Sequence, residues 1–466
     1  MSLVETDTVC AIATAPGRSG VGIVRISGPL SLTIAEHILG FKPAIRHAHF
    51  CDFLDSEAQT IDQGIALFFA APGSFTGEDV LELQGHGGIY VLRELLERAV
   101  QLGARLANPG EFSERAFLNN KIDLLQAEAI ADLIESNSKQ AAKSAVRTLQ
   151  GEFSRKIQAL LKLLIEARVH IEATIDFSDE DIDFVNDNKV EQSLNGILAS
   201  IEETLAQAKQ GALLKEGINV VIAGKPNAGK SSLLNALSGI ESAIVTDIPG
   251  TTRDLLSEEI SIDGLPVHIV DTAGIRLSDD VVEQEGLRRA QTAIERADQI
   301  LLIVDGLEAE QDVEKLLAPL VLLTDKSIKD LDYLANTAIV YNKIDLLKDV
   351  QAGIGGMNYL DISLPTISLS AKEGIGIDLL RNYLKEVIGF SVTEEGAFIA
   401  RERHLIALTN ARELVESALR QLAGHVALEL IAEDLRFAQA QLGAITGEFT
   451  SDDLLGEIFT NFCVGK

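Results

Sequence analysis

Apolar positions follow three rhythms along the chain. Over the first hundred residues they come in short β-rich runs, at 8–14, 21–27, 64–70 and 79–84, divided by turn formers such as A-P-G-R-S-G at 15–20. A stretch of helical i, i+3, i+4 spacing covers 90–102, and these runs together predict a compact α+β module over 1–119. N-P-G at 108–110 marks a turn, and Glu111 opens a helical region expected to continue far beyond it. From about 121 to 211 the stripes are those of long helices, with Ile130, Leu133 and Ile134, then Leu160, Leu161, Leu164 and Ile165 on common faces. Across 217–382 short apolar strands alternate with amphipathic helices, as in a parallel α/β sheet covered on both faces, and from His404 helical spacing resumes. The expectation is a multidomain chain. An N-terminal α+β domain spans 1–119, and a discontinuous all-α helical domain spans 120–216 and 383–466. An inserted P-loop α/β domain of Ras-like type spans 217–382; two separate helical bundles are the alternative.

Composition changes this picture only at the margins. A length of 466 residues suggests about three domains. With 46% hydrophobic and 24% charged residues and no apolar run near the roughly 18 needed to span a bilayer, no membrane segment is expected. Acidic residues in the first seven positions are unlike a leader peptide, so a cytoplasmic location is expected. Cys10, Cys51 and Cys463 are scattered, which suggests neither disulfides nor a zinc site. A net charge of -30 argues against broad phosphate-backbone binding, so any RNA contact is local or shared with a partner. The acidic run at 176–184 reads as a solvated connection rather than a metal cluster. Arg25 and Glu82 interrupt apolar strands, and water-facing positions and a ligand site are equally good readings of them. His86, in the glycine turn 85–88, could be a base but stays unassigned, since a lone histidine there is more often structural.

The most specific chemistry lies at 220–232, where a β-branched run feeds G-K-P-N-A-G-K-S at 224–231 and then a helix start. Gly224, Gly229, Lys230 and Ser231 meet the phosphate-loop spacing. The loop N–H groups can wrap a phosphate, Lys230 can reach the β- and γ-phosphates, and Ser231 can hold Mg²⁺. Asn342, Lys343 and Asp345 form N-K-x-D after an apolar strand. The Asp345 carboxylate can accept from the ring N–H and amine of guanine, a donor pair that adenine lacks. Ser370, Ala371 and Lys372 suit the opposite side of the base. Two switches fit between: G-T-T-R at 250–253, with Thr252 joining Ser231 at Mg²⁺, and D-T-A-G at 271–274. Asp271 can hold the metal's water shell and Gly274 can offer its N–H to the γ-phosphate. Four motifs in this order make a GTPase. The next residue, Ile275, cannot orient water as the glutamine of Ras-like enzymes does, leaving Arg253, Arg276 and Glu283 as neighbours; on spacing alone Glu283 reads as a surface-helix residue.

These motifs, together with S-F-T-G-E-D-V-L-E-L-Q-G-H-G-G at 74–88, N-P-G-E-F-S-E-R-A-F at 108–117 and the terminal F-C-V-G-K at 462–466, resemble the MnmE (TrmE) family of tRNA-modification GTPases across essentially the whole chain. The resemblance implies a K⁺-stimulated GTPase that forms a homodimer through its N-terminal domain. With the FAD protein MnmG it would form a heterotetramer and act on tRNA, adding an aminomethyl-type group at C5 of the wobble uridine. It places K⁺ at Asn227, Thr246, Ile248 and Thr251, and makes Glu283 the water-orienting carboxylate. Its GTP site extends the motif residues by Asn227, Ala228, Ser232, Thr246 and Thr251. A folate-binding N-terminal domain would hold 5-formyltetrahydrofolate near Arg25, Glu82, Lys121 and Lys466, and Cys463 would act in the modification step. Lys225 stands where many relatives carry Arg, and Pro249 where a small residue is common, which would stiffen the K⁺ loop. A regulatory or ribosome-assembly GTPase switch, and a folate-dependent methyltransferase with an ancillary nucleotide domain, are the alternatives.

Overall fold

The computed structural model describes residues 7–136, 138–176, 189–238, 257–271, 281–308, 313–324, 334–359, 362–390, 398–424, 427–448, 458–460, 462 and 465. In chain order the first elements are β1 (Val9–Ile12), β2 (Ser19–Ser27), α1 (Ser31–Leu39), β3 (His49–Leu54), β4 (Thr60–Phe69), β5 (Val80–Gly87), α2 (Ile89–Gln101), β6 (Arg105–Leu106) and α3 (Glu111–Leu118). Four helices follow: α4 (Leu124–Glu135), α5 (Lys139–Leu149), α6 (Glu152–Asp176) and α7 (Lys189–Glu216). The next block holds β7 (Ile218–Gly224), α8 (Lys230–Ser238), β8 (Ser257–Ile262), β9 (Leu265–Asp271), α9 (Val281–Glu295), β10 (Gln299–Asp305), α10 (Val313–Thr324), β11 (Thr337–Asn342), β12 (Gly353–Tyr359), β13 (Ile362–Ser368) and α11 (Ile377–Val387). The chain closes on α12 (Glu402–Ala423) and α13 (Leu428–Thr446). Two compact units result: Met1–Ala131 with Arg147–Ile201 and Ala407–Lys466, and Asp132–Val146 with Glu202–Ile406.

In the first unit six strands pair in the order β3-β4-β5-β2-β1-β6, antiparallel except for β1 with β6. Alternate positions Val24, Ile26, Leu81, Leu83, Ala66 and Phe68 are buried against Ile34 and Ile38 of α1 and Leu92 and Leu95 of α2. That period of two leaves Arg25, Glu82 and Gln84 on the opposite face. α6 packs along α13, where Arg168 donates to Gln439 at 2.5 Å. The helical region opened by Glu111 continues through α3 to α7 as the spacing suggests, but as separate helices. α3 stops at Leu118, and Asn120 takes a φ of 54°, a left-handed value incompatible with helix continuation, before α4 restarts at Leu124. The acidic run reaches the described residues only at Asp176, the last residue of α6.

A buried ionic cluster anchors α3 to the sheet. The Arg115 guanidinium, 8% exposed, donates to Glu111 at 2.9 Å, Asp7 at 2.6 Å and Glu78 at 3.1 Å. Arg105 completes it, donating to Glu111 at 2.6 Å and Asp7 at 2.5 Å. Burial pushes the Glu111 carboxyl up, yet the hydrogen bonds from Arg105, the Asn108 N–H and Arg115 hold it below its ordinary range.

The second unit is built on a seven-stranded sheet of order β12-β13-β11-β10-β7-β9-β8, parallel in its centre with antiparallel edges β8 and β12. Both faces are covered, and so the strands read as nearly continuous apolar runs. Val220, Ile222, Leu301 and Ile303 meet Leu233 and Leu237 of α8 and Leu380 and Leu384 of α11. Val221, Ala223, Ile300 and Leu302 face Ile294 of α9 and Leu317 and Leu320 of α10. Four loop-forming ends of parallel strands, after β7, β10, β11 and β13, therefore open on one edge of the sheet.

Candidate nucleotide site and a second site on the N-terminal sheet

The loop between β7 and α8 turns on two glycines that no side chain could replace. Gly224 (φ 149°) would put a Cβ 2.3 Å from the Ile303 carbonyl, and Gly229 (φ 97°) would put one 2.2 Å from Asn342 Nδ2. Asn227 between them is also left-handed, at φ 65°. Lys230 opens α8 buried, its Nζ donating to the carbonyls of Gly224 at 2.8 Å and Lys225 at 3.0 Å. The ammonium is thus folded across the loop it would share with a phosphate, while Ser231 and Ser232 are exposed in the first helical turn. A cavity of about 140 Å³ opens beside the loop, lined by Lys225, Asn227, Ala228, Asp305, Leu316 and Pro319 among others.

One buried side chain ties this loop to the loops after β11 and β13. Asn342, 2% exposed at the end of β11, donates from Nδ2 to the Ala228 carbonyl at 3.0 Å. Its Oδ1 accepts from the N–H groups of Lys343 at 2.8 Å and Ala371 at 2.9 Å. Ser370 Oγ donates to Asp345 Oδ1 at 2.5 Å, which holds that carboxylate in place. Lys343, at φ 65°, turns its ammonium to Asp305 at 2.7 Å, and that hydrogen bond holds the Asp305 carboxyl below its ordinary range. Gly224, Asn227, Ala228, Gly229, Lys230, Ser231 and Ser232 therefore lie at the same sheet edge as Asn342, Lys343, Asp345, Ser370, Ala371 and Lys372. Asp271 is the last residue of β9 and pairs with Ile222. Glu283 lies in the first turn of α9, outside the side chains described. Thr246, Ile248, Thr251, Thr252 and Gly274 lie outside the described residues. Asp305 was not foreseen, because nothing in the N-K-x-D spacing names the partner of its lysine.

On the N-terminal sheet Arg25 and Glu82 do not face water separately. They stand directly opposite one another on β2 and β5, and Arg25 Nε donates to Glu82 Oε1 at 2.9 Å. The Arg25 guanidinium lies 5.6 Å from the Phe112 ring and 6.0 Å from that of Phe75, and donates to the Gly465 carbonyl at 3.4 Å. Gly465 (φ 97°) is pressed against β1, where a Cβ would lie 2.4 Å from the Ile12 carbonyl. Lys121 donates to the Pro72 carbonyl at 2.9 Å, on the loop that carries Phe75. That loop is pinned from beneath. Ser27 Oγ bonds Thr76 Oγ1 and the Glu78 carboxylate, each at 2.7 Å, and Asn119 donates to the Thr76 carbonyl at 2.7 Å. A mostly buried cation and carboxylate beside the exposed Phe75 ring suit a flat ligand with a donor edge and an acidic group. Phe75, Phe112 and the residues beneath the loop were missed because strand register, not spacing, brings them together. Cys463 and Lys466 lie outside the described residues. Burial raises the Cys10 thiol to about 11, leaving it no nucleophile at neutral pH.

Among the described residues no group of three or more metal-ligating side chains occurs, and no helix is long and apolar enough to cross a membrane. The family model described as GTP-binding protein TrmE N-terminus matches residues 8–121, and that of the MnmE helical domain matches 124–463. The chain belongs to the MnmE family. Among its MnmE relatives, the tRNA modification GTPase MnmE of Chromohalobacter salexigens is 55% identical over 100% of this chain and 99% of its own length. That of Hydrogenovibrio crunogenus is 54% identical over the full length of both. The G domain of the T. maritima FeoB iron transporter is also similar, at 22% identity over 36% of this chain and 98% of that one. Its TM-score of 0.26 is too low for the likeness to carry any argument about an MnmE-family chain.

Proposed function

We propose that this MnmE-family chain is a K⁺-stimulated GTPase that works on tRNA with an FAD protein of the MnmG type. Together they would add an aminomethyl or carboxymethylaminomethyl group at C5 of the wobble uridine, in the cytoplasm, as a heterotetramer built on a homodimer of this chain. The observation that carries the reading is Asn342, whose one buried amide links the phosphate loop to the loop that would read guanine. In this reading the N-terminal domain is 1–119, the helical domain 120–216 with 383–466, and the G domain 217–382.

GTP would lie along Gly224–Ser232 with its base at Asn342, Lys343, Asp345 and 370–372, and Thr246, Thr251, Thr252, Asp271 and Gly274 would complete the site. Ser231 and Thr252 would hold Mg²⁺, while Asn227, Thr246, Ile248 and Thr251 would hold K⁺; the cations would neutralise charge developing on the phosphates. The left-handed, exposed Asn227 is compatible with a ligand role. Lys230 would exchange its two carbonyls for phosphate oxygens, a trade of like for like that leaves the ammonium paired. Glu283 would orient water in place of Ile275. Arg25, Glu82, Lys121 and Lys466 would hold 5-formyltetrahydrofolate or a related folate, the one-carbon source, and Cys463 would act in the modification step.

Nucleoside analysis of tRNA incubated with the purified chain, the MnmG-type protein, GTP and folate tests the reading; an unmodified wobble uridine would sink it. GTP hydrolysis is expected to run faster in K⁺ than in Na⁺, and equal rates would remove K⁺ from the scheme.

A further inference from the structure

His86 is the candidate that the nucleotide and folate readings leave unused. Its flanking residues Gly85 and Gly87 are buried while the His86 side chain is 72% exposed. Gly85 stands opposite Gly22, whose Cβ would meet Leu92 of α2 at 2.6 Å, so Gly85 faces the helix layer and His86 the other side. An imidazole so exposed would ordinarily sample several rotamers. This one is tied at Nδ1 to Asp62 Oδ1 at 2.8 Å, and the same carboxylate accepts the His86 backbone N–H through Oδ2 at 2.7 Å.

A purely structural account explains half of that arrangement. The β4–β5 ladder ends at Ile65 and Gln84, so the N–H of His86 lacks a strand partner and Asp62 supplies one. One carboxylate oxygen meets that need. The second oxygen fixes the ring with Nδ1–H as donor, which leaves the Nε2 lone pair facing outward without a partner among the described residues. Burial pushes the Asp62 carboxyl up, but the two N–H bonds from His86 and one from Gln63 outweigh it and hold the group below its ordinary range. The carboxylate is therefore ionised at neutral pH and can stabilise an imidazolium.

His86 also ends a polar row. Glu82, Gln84 and His86 alternate on the same face of β5, and Gln84 Nε2 donates to Glu82 Oε2 at 3.3 Å. Ile23 and Ile65 stand on either side of Gln84. His86 lies four positions along the strand from Glu82, a span of about 13 Å. We infer that the Asp62–His86 pair is a proton-transfer site, serving an elongated ligand that is anchored at Arg25 and Glu82, lies over Gln84 and presents an N–H to His86 Nε2. In the step itself the ligand N–H bond breaks and an Nε2–H bond forms. The electron pair stays on the ligand nitrogen, and the positive charge gained by the ring faces Asp62. The proton later returns to the ligand or to water. The inference rests on the N-terminal site being where the one-carbon chemistry occurs.

The test is the complete modification assay with His86→Ala, run with and without added imidazole, alongside Asp62→Asn and with GTP hydrolysis as the control. General-base contributions run to about 10²–10⁴, so His86→Ala is expected to slow wobble-uridine modification by at least about tenfold while GTP hydrolysis stays unchanged. Free imidazole should restore a large part of the loss, since the exposed site admits it, and Asp62→Asn should be slowed less than His86→Ala. Full activity in His86→Ala, or a loss that imidazole does not repair, overturns the inference. A wild-type chain that yields no modified nucleoside would instead overturn the functional reading above.

Discussion

The two candidate sites hold their geometry by opposite means. At the edge of the seven-stranded sheet, position is set by backbone: Gly224 and Gly229 leave no room for a Cβ, and Asn342 clamps main-chain groups of two loops. On the N-terminal sheet it is set by side chains, with Arg25 locked to Glu82 and the loop above them held by Glu78, Ser27 and Arg115. A backbone cradle keeps its donors free for a ligand. A side-chain site starts with its charges already paired, so a ligand must compete with Glu82 for Arg25 and gains selectivity from that competition.

The largest effect that would break this contrast is at Arg115. Arg115→Leu takes the guanidinium from Glu78 and leaves Arg105 alone to pair Glu111 and Asp7, and removing one partner of a buried ionic cluster typically costs about 3–5 kcal/mol. Chemical denaturation of the full chain should show the transition of the first unit moved to lower denaturant while nucleotide affinity is unchanged. Arg115→Lys should recover only part of the loss, because a single ammonium cannot reproduce the fork to three carboxylates. If GTP affinity fell in parallel, the N-terminal cluster would not be confined to its own site.

Next comes Asn342→Ala, which leaves the Ala228 carbonyl and the Ala371 N–H unpaired in a buried position. Each orphaned group costs about 1–3 kcal/mol, so guanine-nucleotide affinity should fall by about 10- to 100-fold by calorimetry, with the first unit's denaturation unmoved. Unchanged affinity would mean that the two loops hold their positions without the bridge.

The same contrast explains what could be read before the fold was seen. The candidate nucleotide site is legible because its parts are local: each motif is a run of a few residues at a strand end, and the parallel sheet delivers such ends to one edge. Asn342 was recognisable by spacing, although its bond to Ala228, 114 residues away, was not. The N-terminal site depends on antiparallel register. Arg25 and Glu82 are 57 residues apart, and only the pairing of β2 with β5 makes them neighbours, so pattern alone left water and ligand equally balanced. The helical region beyond Glu111 was legible, but the break between α3 and α4 was not, because the left-handed Asn120 that separates them is a backbone choice that apolar spacing does not record.

Acid should separate the two units least, and in a defined direction. In the first unit Glu111, Asp7 and Asp62 all have folded pKa values held below their ordinary 4.5, 3.8 and 3.8, in each case because hydrogen bonds to Arg105, Arg115 or His86 outweigh burial. A depressed carboxylate contributes stability that is complete above its unfolded pKa and disappears as pH falls through the folded one. The first unit should therefore begin to weaken below about pH 4.5. In the second unit the contributions oppose. Asp305 is depressed by Lys343, but burial raises Glu216 despite the nearby Lys215 and Arg401, so Glu216 favours the folded state when protonated and that advantage is lost as pH rises through its folded value. Acidification thus removes the Asp305 contribution while restoring that of Glu216. Denaturation followed from pH 7 to pH 3 should show a steeper decline for the first unit than for the second, and the slope of the first should flatten in Arg115→Leu. Equal slopes, or a slope unchanged by that substitution, would show that the carboxylates around Arg115 do not govern the acid response of the N-terminal site.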